Sequence, residues 1–181
     1  MRQLFIVRHA QAETPTSSAD HERHLTQQGQ SEALALGTWL RYRGLCPKHA
    51  LVSSSQRTRE TFDYLTQSIA GAKDHQIELT IEPRLYNAEW ETLLDVMHEV
   101  DDHVEQLLII GHNPGISEYA DMLAAPDGSL MRQHMAKGFS TADLAIIAFE
   151  GQSWHDIMPH SGRLRDFITS SQRNAADSQR I

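Results

Sequence analysis

The chain has 181 residues, enough for one domain with a sizeable hydrophobic core. Sixteen lysines and arginines stand against 24 aspartates and glutamates, a formal charge of -8, and no long basic block is present, so general binding to nucleic acid or to an anionic membrane is disfavoured. Cys46 is the only cysteine, which excludes an intramolecular disulfide and fits a reducing compartment.

Leu4-Phe5-Ile6-Val7 is a short apolar run and reads as the first strand. It is too short for a signal peptide and runs straight into Arg8-His9, so a cytoplasmic protein is expected. No apolar run approaches the roughly 18 residues of a membrane-spanning helix. Residues 11–25 are polar, contain Pro15 and read as a loop. Thr26 can cap a helix from Gln27 to about Leu40, and Leu51-Val52-Ser53 reads as a second strand. A helix follows from about Gln56 to Ile69, and alternating Ile77, Leu79 and Ile81 give a third strand. The spacing of Leu93, Leu94, Met97, Val100 and Val104 predicts a helix over 91–104.

Leu107 to Ile110 reads as a fully buried strand, and a helix opens after Pro114 and runs to about Leu123. Residues 125–143 are expected to be irregular. Ala145 to Phe149 reads as a strand, turning at Gly151-Gln152 into an antiparallel hairpin partner at Trp154 to Met158. This order predicts a three-layer α/β/α sandwich with a mostly parallel sheet and a mixed edge, without specifying strand order. One domain is expected over 1–165, followed by a polar, frayed tail over 166–181.

Three segments carry chemistry. Arg8-His9 leave the first strand; Ser53-Ser54-Ser55 leave the second and lead into Arg57; Gly111-His112-Asn113-Pro114-Gly115 leave the strand at 107–110. Parallel strands put these exits on one sheet edge, where open α/β sheets bind ligands. Arg57 in a first helical turn opposes the helix dipole, a cost that a bound anion would offset. Pro114 suits a first helical turn, and Asn113 can cap it. Two arginines and two histidines would then surround one phosphoryl group. His9 is the expected nucleophile, and Arg8 and Arg57 would clamp the equatorial oxygens. His112, at least partly protonated, would bind the same oxygens.

This constellation closely resembles the histidine phosphatase superfamily, also called phosphoglycerate-mutase-like, in its SixA-like phosphohistidine phosphatase branch. The resemblance rests on Arg8-His9-Ala10, Leu25-Thr26-Gln27-Gln28-Gly29, Ser53-Ser54 with Arg57-Thr58 and Glu60-Thr61, and Gly111 to Gly115, and spans about residues 2–160. It implies His9 as the phosphorylated residue, with Arg8, Arg57 and His112 forming the phosphate pocket. It also implies supporting contacts from Arg23 and Asn113, and no metal or organic cofactor. Many members of the superfamily use an acid after the third strand. Glu82, Glu89 and Glu91 are the candidates here, with Glu89 ranked first as general acid.

The chain has little room for the lids with which larger relatives enclose metabolites. A phosphorylated protein, such as a phosphorelay domain, is therefore the expected substrate, and a small phosphoester is the alternative. A mutase or a non-catalytic phosphate-binding module is a further alternative. Lys137, in the 125–143 segment, is read as solvent-exposed. His21 and His24 beside Asp20 and Glu22 lack the fixed, convergent set of four ligands that a structural zinc site needs, so metal-dependent hydrolysis is disfavoured. The chain also lacks the Gly-x-x-x-x-Gly-Lys-Ser/Thr phosphate loop.

Overall fold

The computed structural model describes residues 1–15, 19–69, 76–151 and 153–173. Six strands form one sheet in the order β3-β2-β4-β1-β5-β6. They are β1 (Arg2–Arg8), β2 (His49–Ser53), β3 (Glu78–Glu82), β4 (Gln106–Gly111), β5 (Leu144–Phe149) and β6 (Arg163–Ile168). Strands β3, β2, β4 and β1 are mutually parallel, and β5 and β6 add two antiparallel pairings, giving the mixed edge.

The central strands are apolar on both faces because both faces are covered. Leu4 and Ile6 of β1, with Leu107 and Ile109 of β4, pack under α3 (Trp90–His98) and α4 (Gly115–Leu123). Phe5 and Val7, with Leu108 and Ile110, pack under α1 (Gln27–Tyr42) and α2 (Gln56–Ile69). The period of two in the pleat assigns each residue to its layer. The chain steps from β1 to β2 to β3 in one direction and then returns to β4. Right-handed crossovers therefore put α1 and α2 on one face and α3 on the other. The sandwich is the expected three-layer architecture.

Three expectations are corrected. The helix expected over 91–104 ends at His98. Beyond it Asp101 accepts the His103 N–H, and Asp102 takes Arg2 and the Trp154 N–H, so these carboxylates favour a turn over helix continuation. Val104 is still buried, but through that turn. The partner of β5 is β6, not Trp154 to Met158. Trp154 is instead buried in the core, with its indole Nε1–H donating to the Val104 carbonyl at 2.7 Å. An indole N–H fully removed from water requires such an acceptor. The 125–143 segment contains a short helix, α5 (Leu130–Met135), capped by Ser129, whose hydroxyl accepts the Arg132 N–H.

Strand β6 runs through residue 165 to Ile168, and a helical turn follows at 170–173. The rest of the expected tail, 174–181, and Gln152 of the expected turn lie outside the described residues. Among the described residues no helix is long and apolar enough to cross a membrane.

Gly115 opens α4 against the Ala88 carbonyl, and a Cβ there would collide with that oxygen. This close approach seats the 111–115 segment against the connection into α3. Gly115→Ala is expected to destabilise the protein by about 1–3 kcal/mol through overpacking, measured by denaturant unfolding. An unchanged midpoint would mean that the Ala88 backbone yields freely.

Candidate active site

The register of β1 against β4 pairs Arg8 with Gly111, so both histidine segments leave the sheet at neighbouring points. The His9 N–H donates to the Gly111 carbonyl at 3.1 Å. Ala10, fully buried, donates its N–H to Thr61 Oγ1 at 3.0 Å, which ties the exit of β1 to α2. The His9 ring is 2.8 Å through Nδ1 from the Ala10 carbonyl. A carbonyl only accepts, so Nδ1 carries the proton and the lone pair of the neutral ring lies on Nε2. Burial, reinforced by Arg57 and Arg8, lowers the His9 pKa to about 4. At neutral pH the ring is a free base.

Arg57 lies in the first turn of α2 and is buried. Its Nη1 donates to the Asp20 carbonyl at 2.6 Å, and its Nη2 faces Asp20 Oδ2 at 3.1 Å and His112 Nδ1 at 3.2 Å. The guanidinium can only donate, so His112 Nδ1 accepts. The His112 Nε2–H is then the donor to Ser53 Oγ at 2.8 Å. Burial, with the neighbouring His9 and Arg57, lowers His112 to about 3. His112 is therefore neutral at neutral pH; its expected partial protonation concerns the phosphate-bound state. The ring centroids of His9 and His112 are 5.2 Å apart.

Arg8 donates through Nη1 to the Phe139 carbonyl at 2.7 Å, and Asn113 Nδ2 donates to the same oxygen at 2.9 Å. Asn113 does not cap α4, whose N-cap residue is Pro114. Its Oδ1 accepts instead from Ser117 Oγ at 2.8 Å. Asn113 thus ties the second histidine segment to the carbonyl that holds Arg8. The Nε atoms of Arg8 and Arg57 are both buried without a partner.

Asp20, His21 and Tyr86 enter the site only through the tertiary structure, and Ser53 of the second motif segment meets His112 there. Asp20, in a 3-10 turn over Asp20–Glu22, accepts from Tyr86 OH at 2.7 Å, from Arg23 Nη1 at 2.8 Å and from Arg57. The Tyr86 hydroxyl and the two arginines hold its carboxyl far below the usual range. Tyr86 makes an edge contact with His112 at 5.4 Å and with His21 at 4.8 Å, and His21 Nε2 lies 2.9 Å from Ser54 Oγ. The Asp20-x-x-Arg23 spacing, one 3-10 turn, was the available signal. Arg23 joins the cluster through Asp20, with Nε on the Glu13 carbonyl at 2.7 Å, and its charge reaches His9.

Glu89 stands exposed at the N-cap of α3 and makes no capping bond. Its backbone lies beside Gly115, at the rim of the cluster. Glu82 is engaged by Arg84, which also binds Glu99, and Glu91 is exposed. Lys137 is exposed. Among the described residues no group of three or more His, Cys, Asp or Glu could hold a metal ion. His24 is paired with Glu60 and His21 with Ser54.

Residues 4–120 match the family model of the histidine phosphatase superfamily, branch 1. The uncharacterized protein Rv1276c of Mycobacterium tuberculosis is 31% identical over 163 residues, covering 89% of this chain and 98% of that protein. A solved structure of the protein histidine phosphatase SixA complexed with tungstate superposes with a TM-score of 0.74 at 19% identity, over 93% of this chain and 97% of that one. The mycobacterial glucosyl-3-phosphoglycerate phosphatase Rv2419c, solved with VO3, superposes with a TM-score of 0.64 at 14% identity, over 93% of this chain and all of that one. These two likenesses show the shared fold.

The imidazoles provide a direct check. Followed by NMR, His9 and His112 should titrate near 4 and 3, while exposed His24, raised by its bond to Glu60, should titrate above the ordinary 6.5. Both buried values lie below those of the unfolded chain, so unfolding takes up protons on acidification. Their contribution to stability is present above about pH 6.5 and is lost as the pH falls through about 4 and then about 3. Titration of His9 near 6.5 in the empty protein would contradict this account of the pocket.

Proposed function

Because the chain belongs to the histidine phosphatase superfamily, branch 1, we propose that it hydrolyses a phosphoryl group carried on a protein histidine, by way of a covalent intermediate on His9. The observation that carries this reading is the His9 ring. Its Nδ1–H is fixed on the Ala10 carbonyl, its Nε2 is unprotonated at neutral pH, and the charges of buried Arg57 and half-buried Arg8 reach it.

Nε2 attacks phosphorus, and the bond from phosphorus to the leaving nitrogen breaks. Arg8 and Arg57 hold the equatorial oxygens and offset the charge that develops on them. The arriving anion favours protonation of His112, whose Nδ1 then donates to a phosphoryl oxygen in place of accepting from Arg57. The leaving imidazole retains or takes up a proton from solvent. Water then attacks the phosphorus on His9, the P–Nε2 bond breaks, and inorganic phosphate departs. Arg23 and Asn113 support this step indirectly, through Asp20 and through the Phe139 carbonyl.

The state of the nearby carboxylates favours a phosphoramidate. Asp20 is held ionised by three donors and cannot serve as an acid at neutral pH, and Glu89 stands at the rim. A basic leaving nitrogen depends less on a general acid than an alkoxide does. A phosphorelay domain is the partner class that carries such a group. The second reading, a small phosphoester with Glu89 as acid, draws on the position of Glu89 beside the 111–115 segment.

Phosphate release from a phosphohistidine-bearing protein and from an aryl phosphate separates these readings. His9→Ala should lose activity by at least on the order of a thousandfold. Glu89→Gln should leave release from phosphohistidine within about twofold while lowering release from the aryl ester. Equal loss on both substrates would favour the phosphoester reading. Phosphate binding without turnover in the parent protein would make it a binding module.

A further inference from the structure

The helical turn at 170–173 takes no part in the chemistry above, yet it is built into the support of Arg8. The intermediary is the segment 139–143. The Ala142 N–H donates to both the Arg8 carbonyl at 3.1 Å and the His9 carbonyl at 3.2 Å. The Arg8 N–H donates to the Asp143 carbonyl at 3.3 Å, and the Arg8 guanidinium ends on the Phe139 carbonyl. Phe139, Ala142 and Asp143 therefore hold Arg8 by its backbone and by its side chain.

That segment is strained. Ala142 has a φ of +57°, a left-handed conformation in which the Cβ of an L residue is crowded. Such a conformation persists where its surroundings over-determine it. Here the surroundings include 168–173. Asp143, 1% exposed, accepts the Ser140 N–H at 2.7 Å and the Ser170 N–H at 2.9 Å. Arg173, 2% exposed, donates through Nη2 to the Ala142 carbonyl and through Nη1 to the Ile168 carbonyl at 3.2 Å. Asp143 and Glu32 are the carboxylates whose charge favours both Arg8 and Arg173.

We propose that Arg173 is a positioning residue that, with Asp143, locks 139–143 in its strained form and so sets the Arg8 guanidinium in the phosphate pocket. The proposal rests on the assignment of Arg8 to an anion site, and it brings into that site a residue about 165 positions from Arg8 in the chain. A buried arginine spanning two carbonyls fixes both by geometry, whereas a lysine would reach one of them as a point charge.

The test compares the parent with Arg173→Met, Arg173→Lys and Asp143→Asn. It reads inorganic phosphate affinity by calorimetry, kcat and KM for phosphate release, and the thermal midpoint. Arg173→Met should weaken phosphate binding and lower kcat/KM by about tenfold at a temperature where the variant is fully folded. Arg173→Lys should recover only a minor part of the loss, because it can hold one carbonyl and not both, and Asp143→Asn should move both quantities in the same direction as Arg173→Met. A lower midpoint with unchanged phosphate affinity and kcat/KM would reduce Arg173 to a structural role and overturn the proposal. If Arg173→Met does not fold, the lysine and asparagine variants carry the same comparison, and parental phosphate affinity in both overturns it. A parent that binds phosphate without turnover, with affinity weakened in Arg173→Met, would sink the hydrolase reading and keep the positioning role. A parent that binds no phosphate would overturn both.

Discussion

The pairing of β1 with β4, with Arg8 opposite Gly111, is the constraint on which the rest of the site depends. It delivers His9 and His112 from positions far apart in the chain to ring centroids 5.2 Å apart. It also brings β2 to the other side of β4, so that Ser53 meets His112 and α2 starts where Arg57 can reach the same ring. The register is strongly specified because both faces of these strands are buried. A slip of one residue would exchange Leu4 and Ile6 with Phe5 and Val7 between two different cores.

Around that frame the electrostatics are arranged in two tiers. Burial keeps both imidazoles neutral and leaves the cationic charge on guanidinium groups, which do not lose it. Those guanidinium groups are in turn held by acceptors that differ in kind. Arg57 and Arg23 share the ionised Asp20, whereas Arg8 ends on a backbone carbonyl. These acceptors fix the orientation of the guanidinium groups around the two imidazoles.

The elements legible in the sequence were those with a local cause. The apolar runs of β1, β4 and β5, the Thr26 cap and the period of α2 each rest on neighbours within a turn or a pleat. The three motif segments could be placed on one edge because parallel strands leave a sheet on the same side. Elements depart from their local pattern where a side chain has a distant use. Val100 and Val104 follow helical spacing, but Asp101 and Asp102 are drawn into turn and long-range contacts. Trp154 and its neighbours read as a strand, but the indole is taken by a carbonyl 50 residues away.

By itself the sequence determined the α/β class and the three strand exits, and it placed Arg8, His9, Arg57 and His112 at one sheet edge, because these follow from periodicity and from residue type at a strand end. The tertiary structure decided the strand order and the partners that complete the cluster. Tyr86 lies 66 residues from Asp20, Ser53 lies 59 from His112, and Arg173 lies 31 from Ala142. It also decided that His112 accepts from Arg57 and is kept neutral by burial. Hydrogen-bond partners and desolvation depend on what the fold brings within about 3 Å of an atom, and periodicity carries no information about that.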